Sequence, residues 1–189
     1  MTHEPEQPVP GAPLIDEGTF LSVMSSFPSG VTVVTTLGAD SRPIGLTCTA
    51  TCSVSRTPPM LLVCINRGSR VLRAILERGF FAVNFLRNDR DEVASRFAGR
   101  LPDRFTAARW RPSEVAGLPW LPDDTIAFAE CRVATVVEGG DHLVLLGVVV
   151  GGRAEGGAAS PLMYWRSTYG RWPIEDDTGV AAVTLAAEG

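Results

Sequence analysis

Hydrophobic and polar residues follow one another along this chain mostly in the short runs that are typical of β-strands. Such runs, bounded by turn residues, predict strands over 31–37, 44–47, 60–65, 80–86, 126–137 and 143–150, followed by a final aromatic segment over 162–165 and 168–172. Apolar residues have helical spacing only over 17–27, 70–78 and 89–98. Strands therefore dominate, which indicates a mainly β protein.

The three predicted helices have recognisable boundaries and faces. Ser69 is well placed to cap the second helix, and Pro28 ends the first. The apolar residues with helical spacing are Phe20, Leu21, Met24 and Phe27 in the first helix, Val71, Leu72, Ile75 and Leu76 on the inner face of the second, and Val93 and Phe97 on that of the third.

Six or seven short strands with a few inserted helices predict an all-β barrel with helical additions. A doubly wound sheet would need helices between most strands, and no Gly-x-Gly-x-x-Gly follows a strand, so a Rossmann domain is not expected. The segment 101–124 is expected to be irregular. We predict one domain over residues 15–173, a disordered arm over 1–14 and a flexible tail over 174–189.

Composition narrows the functional classes. The chain has 189 residues, 45% of them hydrophobic, and a net charge of −4. No apolar run could span a membrane and no leader-like segment is present, so we expect a cytoplasmic protein. All 17 basic residues are Arg, which excludes a Walker-type phosphate loop and a Lys Schiff base. Scattered Arg in an acidic chain does not indicate nucleic-acid binding.

Cysteine and histidine chemistry is not prominent. Cys48, Cys52, Cys64 and Cys131 show no Cys-x-x-Cys spacing, so no metal site is predicted. We expect Cys64 and Cys131 to be small buried residues in strands, while Cys48 and Cys52 are candidates for lining a pocket. His142 follows Asp141 in a predicted hairpin, and neighbours on a strand point to opposite faces, which argues against a hydrolase triad.

The segment 45–59 is rich in small hydroxyl, thiol and methyl side chains between two apolar strands. Such a segment is compatible with an ordinary Thr-rich strand and turn. It also lets a flat polar heterocycle approach the backbone closely. Similarly, Ser69 and Arg70 at a helix start suit both simple capping and a phosphate site.

Several short motifs occur in one order along most of the chain and together resemble the flavin reductase family. The motifs are Phe-Pro-Ser-Gly-Val-Thr-Val-Val-Thr-Thr at 27–36, Gly-Leu-Thr at 45–47, Ser-Val-Ser at 53–55, Pro-Pro at 58–59, Cys-Ile-Asn-Arg-Gly-Ser at 64–69, Phe-Ala-Val-Asn at 81–84, Gly-Asp-His at 140–142 and Pro-Leu-Met-Tyr at 161–164. Members of this family are NAD(P)H:flavin oxidoreductases that supply reduced flavin to two-component monooxygenases.

The resemblance implies an FMN-binding split barrel, with six antiparallel strands in a Greek key, assembled as a homodimer. It implies FMN or FAD as the flavin and NADH, or less expectedly NADPH, as the reductant. The residues implied in flavin binding are Pro28, Ser29, Thr47, Cys48, Thr49, Ala50 and Ser53 for the ring and ribityl chain, Asn66, Ser69 and Arg70 for the phosphate, and Phe85 and Arg104 in support.

His142 matches the family's histidine at the nicotinamide site, and Tyr164 and Tyr169 lie in the segment that approaches the same pocket. One departure is that Thr49 and Ala50 replace the Asn and Ser that many relatives carry, which leaves more of the flavin contacts to backbone N–H groups. The alternatives are a flavin-retaining split-barrel oxidase and a non-catalytic flavin- or haem-binding barrel.

Overall fold

A computed structural model of the chain describes residues 13–99, 103–155 and 159–171. The helices are α1 (Glu17–Ser25), α2 (Arg70–Arg78) and α3 (Asp91–Ala98). The strands are β1 (Ser29–Gly30), β2 (Thr32–Leu37), β3 (Pro43–Cys48), β4 (Thr51–Arg56), β5 (Pro59–Asn66), β6 (Phe80–Leu86), β7 (Arg111–Pro112), β8 (Pro119–Trp120), β9 (Thr125–Gly139), β10 (His142–Ala154), β11 (Leu162–Trp165) and β12 (Thr168–Arg171). The predicted mainly β content is confirmed.

The largest sheet closes into a barrel. It is antiparallel, with the strand order β3-β2-β6-β9-β10-β5-β4. Its two end strands, β3 and β4, are separated only by Thr49 and Ala50, so the sheet has to curl until its edges meet. The Thr32 hydroxyl marks this closure, because it donates to the Cys48 carbonyl at 2.7 Å and lies 3.3 Å from the Thr51 hydroxyl. Together β3 and β4 take one position in a six-stranded barrel, as predicted.

Two small sheets are attached to the barrel. One has the order β1-β11-β12 and joins the barrel where the Val31 N–H donates to the Leu162 carbonyl at 3.0 Å. The other pairs β7 with β8 within the segment that was predicted to be irregular. The β1-β11-β12 sheet packs on the apolar cluster that includes α3, whereas β8 contacts β2 and β6.

Apolar side chains from the barrel strands and from α2 form one buried cluster. Its buried members include Val34, Val63, Ile65, Phe81 and Leu145 from the strands and Val71, Leu72 and Ile75 from α2. The prediction that Leu76 belongs to this face is wrong, since 44% of its surface is exposed. Ala74 is buried instead, so the buried face of α2 consists of residues 71, 72, 74 and 75.

A second apolar cluster surrounds α3. Val93 and Phe97 face inward as predicted, and the Phe97 ring meets Phe105 edge to face with 5.0 Å between centroids. Leu121 and Leu162 also belong to the buried part of this cluster. It anchors the segment after α3, which carries Arg104, against the barrel.

Helix α1 differs most from the prediction. It ends at Ser25 rather than at residue 27, and it has no buried residue. The side chains of Phe20, Leu21, Val23 and Met24 are each about half exposed, between 49% and 60%. In this chain alone, the apolar residues of α1 therefore pack against nothing that would explain their spacing.

The predicted segment ends lie mostly outside the described residues. Of the arm over 1–14, the structure describes residues 13 and 14, which have no regular structure. The predicted tail over 174–189 lies outside the described part of the chain. So does Trp172, the last residue of the predicted aromatic segment. The proposed domain boundaries at 15 and 173 stay predictions.

Candidate functional site

The loop between β5 and α2 is held by the side chains that were predicted to bind phosphate. The Asn66 Oδ1 atom accepts from the Gly68 N–H at 2.9 Å, and the Asn66 carbonyl accepts from the Ser69 N–H at 3.0 Å. The Ser69 hydroxyl oxygen accepts from the Val71 N–H at 3.2 Å and from the Leu72 N–H at 3.5 Å, so its predicted role as helix cap is confirmed. The hydroxyl hydrogen of Ser69 remains available to donate.

A cavity of 590 Å³ opens beside this loop, between α2 and the turn that joins β2 to β3. Its lining residues come from three segments, which are 38–45, 68–77 and 103–105. Ser69, Arg70 and Arg104, which the sequence predicts as flavin-binding residues, all line it. The structure therefore brings these three side chains together although Arg104 is remote from the others in sequence.

Arg104 is anchored by backbone carbonyls rather than by a carboxylate. One of its terminal nitrogens donates to the Gly45 carbonyl at 2.7 Å, and the other donates to the Gly99 carbonyl. Its Nε atom is buried and has no hydrogen-bond partner among the described residues. Burial lowers the pKa of the guanidinium, and the nearby positive charge of Arg70 lowers it further. Two neighbouring arginines that line one cavity fit a phosphate-bearing ligand.

His142 lies directly opposite Asn66, because residue 142 of β10 pairs with residue 66 of β5. The hairpin turn before it needs Gly140, whose φ of +68° lies in the left-handed region. The His142 Nδ1 atom is 2.8 Å from the Asp141 Oδ1 atom, and this contact lowers the pKa of Asp141. The expectation that residues 141 and 142 point apart is wrong, because Asp141 belongs to the turn and not to the strand.

Arg67 connects the loop between β5 and α2 to the turn that precedes His142. Its backbone N–H donates to the Asp141 carbonyl at 3.0 Å, and its Nε donates to the Gly140 carbonyl at 2.9 Å. One of its two terminal nitrogens lies 3.3 Å from the Glu138 carboxylate. Sequence reasoning missed Arg67, although its place inside the Cys-Ile-Asn-Arg-Gly-Ser motif marks it as a neighbour of the predicted site.

The small-residue segment predicted to face the flavin ring forms the corner between β3 and β4. The Thr47 hydroxyl donates to the Ala94 carbonyl of α3 at 2.6 Å, so this hydroxyl is engaged within the protein. Thr49, Ala50 and Ser53 are exposed. A ligand at this corner would therefore meet small exposed side chains and backbone, as the replacement of Asn and Ser by Thr49 and Ala50 indicates.

Burial raises the thiol pKa of three of the four cysteines, which are Cys48, Cys64 and Cys131. Cys48 is buried and lies outside the cavity lining, and burial raises the pKa of its thiol. Burial raises the pKa of Cys131 to about 12, as expected for a small residue inside a strand. Cys64 is half-buried rather than buried, and Cys52 is exposed on β4, outside the cavity.

Pro28, Ser29, Tyr164 and Tyr169 form a separate group on the β1-β11-β12 sheet. Ser29 pairs with Tyr164, and the Tyr164 and Tyr169 rings lie with 5.3 Å between centroids. Burial raises the pKa of Tyr169, and the neighbouring Tyr164 raises it further. Pro28 and Tyr169 line an apolar groove of 300 Å³, distinct from the cavity beside α2.

The structure therefore does not gather every predicted residue into one pocket. One group lies in or near the loop between β5 and α2 and consists of Asn66, Ser69, Arg70, Arg104 and His142. The corner between β3 and β4 borders α3. Tyr164 and Tyr169 pack on the apolar cluster around α3. Phe85 is half-buried in β6 and packs against the barrel core, lining neither the cavity nor the apolar groove.

Within residues 13–99, 103–155 and 159–171, no group of three or more His, Cys, Asp or Glu side chains could hold a metal ion. No helix in those residues is long and apolar enough to cross a membrane.

Comparisons with known proteins agree on one family. The flavin reductase like domain matches residues 24–173. The chain is 56% identical over 176 residues to a flavin reductase (NADH) of Kitasatospora aureofaciens, covering 93% of this chain and 92% of that protein. It is 38% identical over 156 residues to the reductase subunit HsaB of a flavin-dependent monooxygenase of Mycobacterium tuberculosis, covering 82% of each.

A solved structure shows the same fold. The NADH:FAD oxidoreductase of Streptomyces globisporus, solved in complex with NAD and FAD fragments, is 30% identical and superposes with a TM-score of 0.79. The match covers 88% of this chain and 100% of that one.

Proposed function

This chain belongs to the flavin reductase family, and we propose that it transfers hydride from NADH or NADPH to FMN or FAD and supplies the reduced flavin to a partner monooxygenase. The observation that carries the proposal is the pairing of Asn66 with His142. It sets the side chain expected at the nicotinamide directly beside the loop expected to hold the flavin phosphate.

The residues divide the work of binding and orientation. A bound flavin supplies the hydride acceptor, and the reduced nicotinamide supplies the donor. Ser69 and Arg70 would hold the flavin phosphate through charge-assisted hydrogen bonds, with the Arg104 guanidinium in support. The exposed small residues at the β3–β4 corner, Thr49 and Ala50, would let the flavin ring lie close to the backbone.

His142 would orient the nicotinamide rather than exchange a proton. Its ring is tied through Nδ1 to Asp141, which leaves Nε2 to contact the ligand. Holding two rings at reacting distance accounts for a large share of the acceleration expected of such an enzyme, since hydride transfer needs no protein-bound acid.

The direct test is the oxidation of NADH, followed at its absorbance, by purified protein with and without added FMN or FAD. We expect oxidation only when free flavin is added, at a rate that rises with flavin concentration. A yellow protein that consumes no NADH, or that oxidises another substrate with its retained flavin, would favour the oxidase or the binding barrel and would contradict the proposal.

A homodimer is part of the proposal. It is supported by the exposed apolar residues of α1 described above, including Phe20 and Met24, and by the exposed Phe27 just after this helix, because a cluster of this kind on a folded chain is typical of an interaction surface. Sedimentation equilibrium is expected to give twice the mass of one chain, and a single-chain mass would contradict this assembly. A cytoplasmic location and the residue assignments above stay predictions.

Replacing Arg67 by alanine is expected to raise the KM for NADH by about three- to ten-fold, with a smaller change in the KM for flavin. The reason is that Arg67 binds Gly140 and Glu138 through its side chain and so positions the turn that carries His142. Steady-state kinetics with either substrate varied measures both constants.

The matched control is Glu138→Gln, which removes only the exposed ion pair with Arg67. Such pairs contribute little, so we expect kinetics close to those of the unmodified protein. Equal changes in the two KM values of Arg67→Ala would contradict a role directed at the turn that precedes His142.

A further inference from the structure

The cavity beside α2 is larger than a single phosphate requires. Its volume is 590 Å³, within the range of about 300–1,000 Å³ that is usual for sites of whole organic ligands. Ser69 and Arg70, expected at the flavin phosphate, form one part of its lining. The rest comes from the β2–β3 turn, the outer side of α2 and residues 103–105.

Cations in this cavity are available for an anionic ligand, whereas two of its acids are already engaged. In the described residues, Arg70 and Arg73 take part in no ion pair. Of the three acidic residues that line the cavity, Asp40 lies 3.3 Å from Arg42. Asp103 accepts backbone N–H groups through Oδ1, and Glu77 is exposed on α2.

The cavity also offers apolar and planar surfaces. Pro43 and Ile44 line it from the start of β3, Ala74 from α2, and Phe105 from the segment after α3. The Arg104 guanidinium is fixed in orientation by two carbonyls, and a fixed guanidinium is a good stacking partner for a flat ring. Cations next to flat and apolar surfaces suit a phosphate joined to a purine nucleoside.

We propose that this cavity binds an adenosine 5′-phosphate group, that the group is the AMP half of FAD, and that FAD is therefore the preferred flavin. This inference rests on the proposed function and specifies its substrate. FMN ends at the phosphate beside Ser69 and Arg70, whereas FAD continues from that phosphate with a second phosphate and adenosine. NADH carries the same adenosine phosphate, so the experiment has to separate the two sources.

The first measurement is the Kd of FAD and of FMN, from quenching of flavin fluorescence without any nicotinamide. We expect FAD to bind about ten-fold more tightly, as one additional charged hydrogen bond allows. Arg73→Ala is expected to weaken FAD binding about five- to ten-fold and FMN binding much less, because Arg73 lines the cavity about one helical turn after Arg70, the residue expected at the FMN phosphate. Arg70→Ala is expected to weaken both.

The control is Arg78→Ala, which removes an exposed arginine from the same helix but outside the cavity lining. It is expected to change neither Kd. Equal affinities for FAD and FMN, or an equal effect of Arg73→Ala on both, would overturn the inference. Because these are binding measurements, they stand even if the protein fails to oxidise NADH, and the two failures remain distinguishable.

The second measurement uses AMP as an inhibitor of NADH oxidation with FAD as acceptor. We expect AMP to compete with FAD and not with NADH. Competition with NADH alone would assign the cavity to the nicotinamide dinucleotide and overturn the assignment to FAD. Absence of inhibition at concentrations well above the Kd of FAD would also count against it.

Discussion

Replacing His142 by alanine is expected to lower kcat/KM for NADH by about ten- to a hundred-fold, because a small misplacement of the reacting rings is costly. Flavin binding is expected to persist, since His142 is the first residue of β10 and does not line the cavity beside α2. Steady-state kinetics and flavin fluorescence measure the two quantities separately. Loss of flavin binding in a folded variant would contradict this role.

A kinetic isotope effect distinguishes orientation from simple structural damage. With NADH deuterated at the transferred position, the effect is expected to rise in His142→Ala, because a mispositioned nicotinamide makes hydride transfer the slower step. The matched variant Asp141→Asn retains an oxygen that can accept from the His142 Nδ1 atom. We expect it to retain most of the activity, and a loss as large as that of His142→Ala would assign the effect to the charge of Asp141.

Local patterns predicted the elements that depend on local chemistry. Helix α2 begins and ends where Ser69 and Gly79 require, with the Ser69 oxygen on two backbone N–H groups and Gly79 at a φ of +76°. The apolar run at residues 60–65 predicted β5, whose burial alternates because successive side chains of a strand point to opposite faces. The barrel itself followed from the number and length of such strands.

Contacts between distant segments could not be predicted in this way. Arg67 and Gly140 are 73 residues apart, and only the pairing of β5 with β10 brings them together. Asp141 was misjudged because its place in a turn, not a strand, decides where its carboxylate points. Leu76 was misjudged because the helical spacing leaves open which edge of the apolar stripe meets the barrel.

A different limit concerns residues whose role depends on a second molecule. The apolar residues of α1 have helical spacing, yet the chain alone leaves them exposed. Spacing therefore predicted the helix correctly but could not name what the helix packs against. The same holds for Arg104, whose anchoring by two carbonyls and unpartnered Nε atom only the structure reveals.

Asn84 is a buried polar residue from the Phe-Ala-Val-Asn motif, and Asn84→Leu is expected to lower the free energy of unfolding by about 2–4 kcal/mol. The side chain is fully buried in β6. Its Nδ2 atom donates to the Val33 carbonyl and the Thr35 hydroxyl, both at 3.1 Å, and to the Pro119 carbonyl at 3.4 Å. Its Oδ1 atom accepts from the Leu121 N–H at 3.0 Å.

Leucine has the same branching and the same number of side-chain heavy atoms as asparagine, but it leaves the buried Leu121 N–H without an acceptor, which adds a large cost. Urea unfolding measures it as a lower midpoint with an unchanged slope. The matched control is Thr36→Val, which removes a single hydrogen bond, from the Thr36 hydroxyl to the Phe80 carbonyl at 2.9 Å. It is expected to cost only about 1 kcal/mol. Equal losses in the two variants would show that Asn84 stabilises the fold no more than an ordinary buried hydroxyl does.

The consequence for the site follows from where Leu121 packs. Leu121 belongs to the same apolar cluster as Phe97 and Phe105, and Phe105 directly follows Arg104. Asn84→Leu should therefore loosen the segment that holds Arg104 at the cavity, and weaken flavin binding at temperatures where the fold still holds. Thr36→Val should leave flavin binding unchanged, because its hydroxyl bonds the Phe80 carbonyl at the start of β6 and Thr36 is not part of the cluster that contains Leu121 and Phe105. Unaltered flavin binding in a destabilised Asn84→Leu protein would separate the stability of this cluster from the function of the cavity.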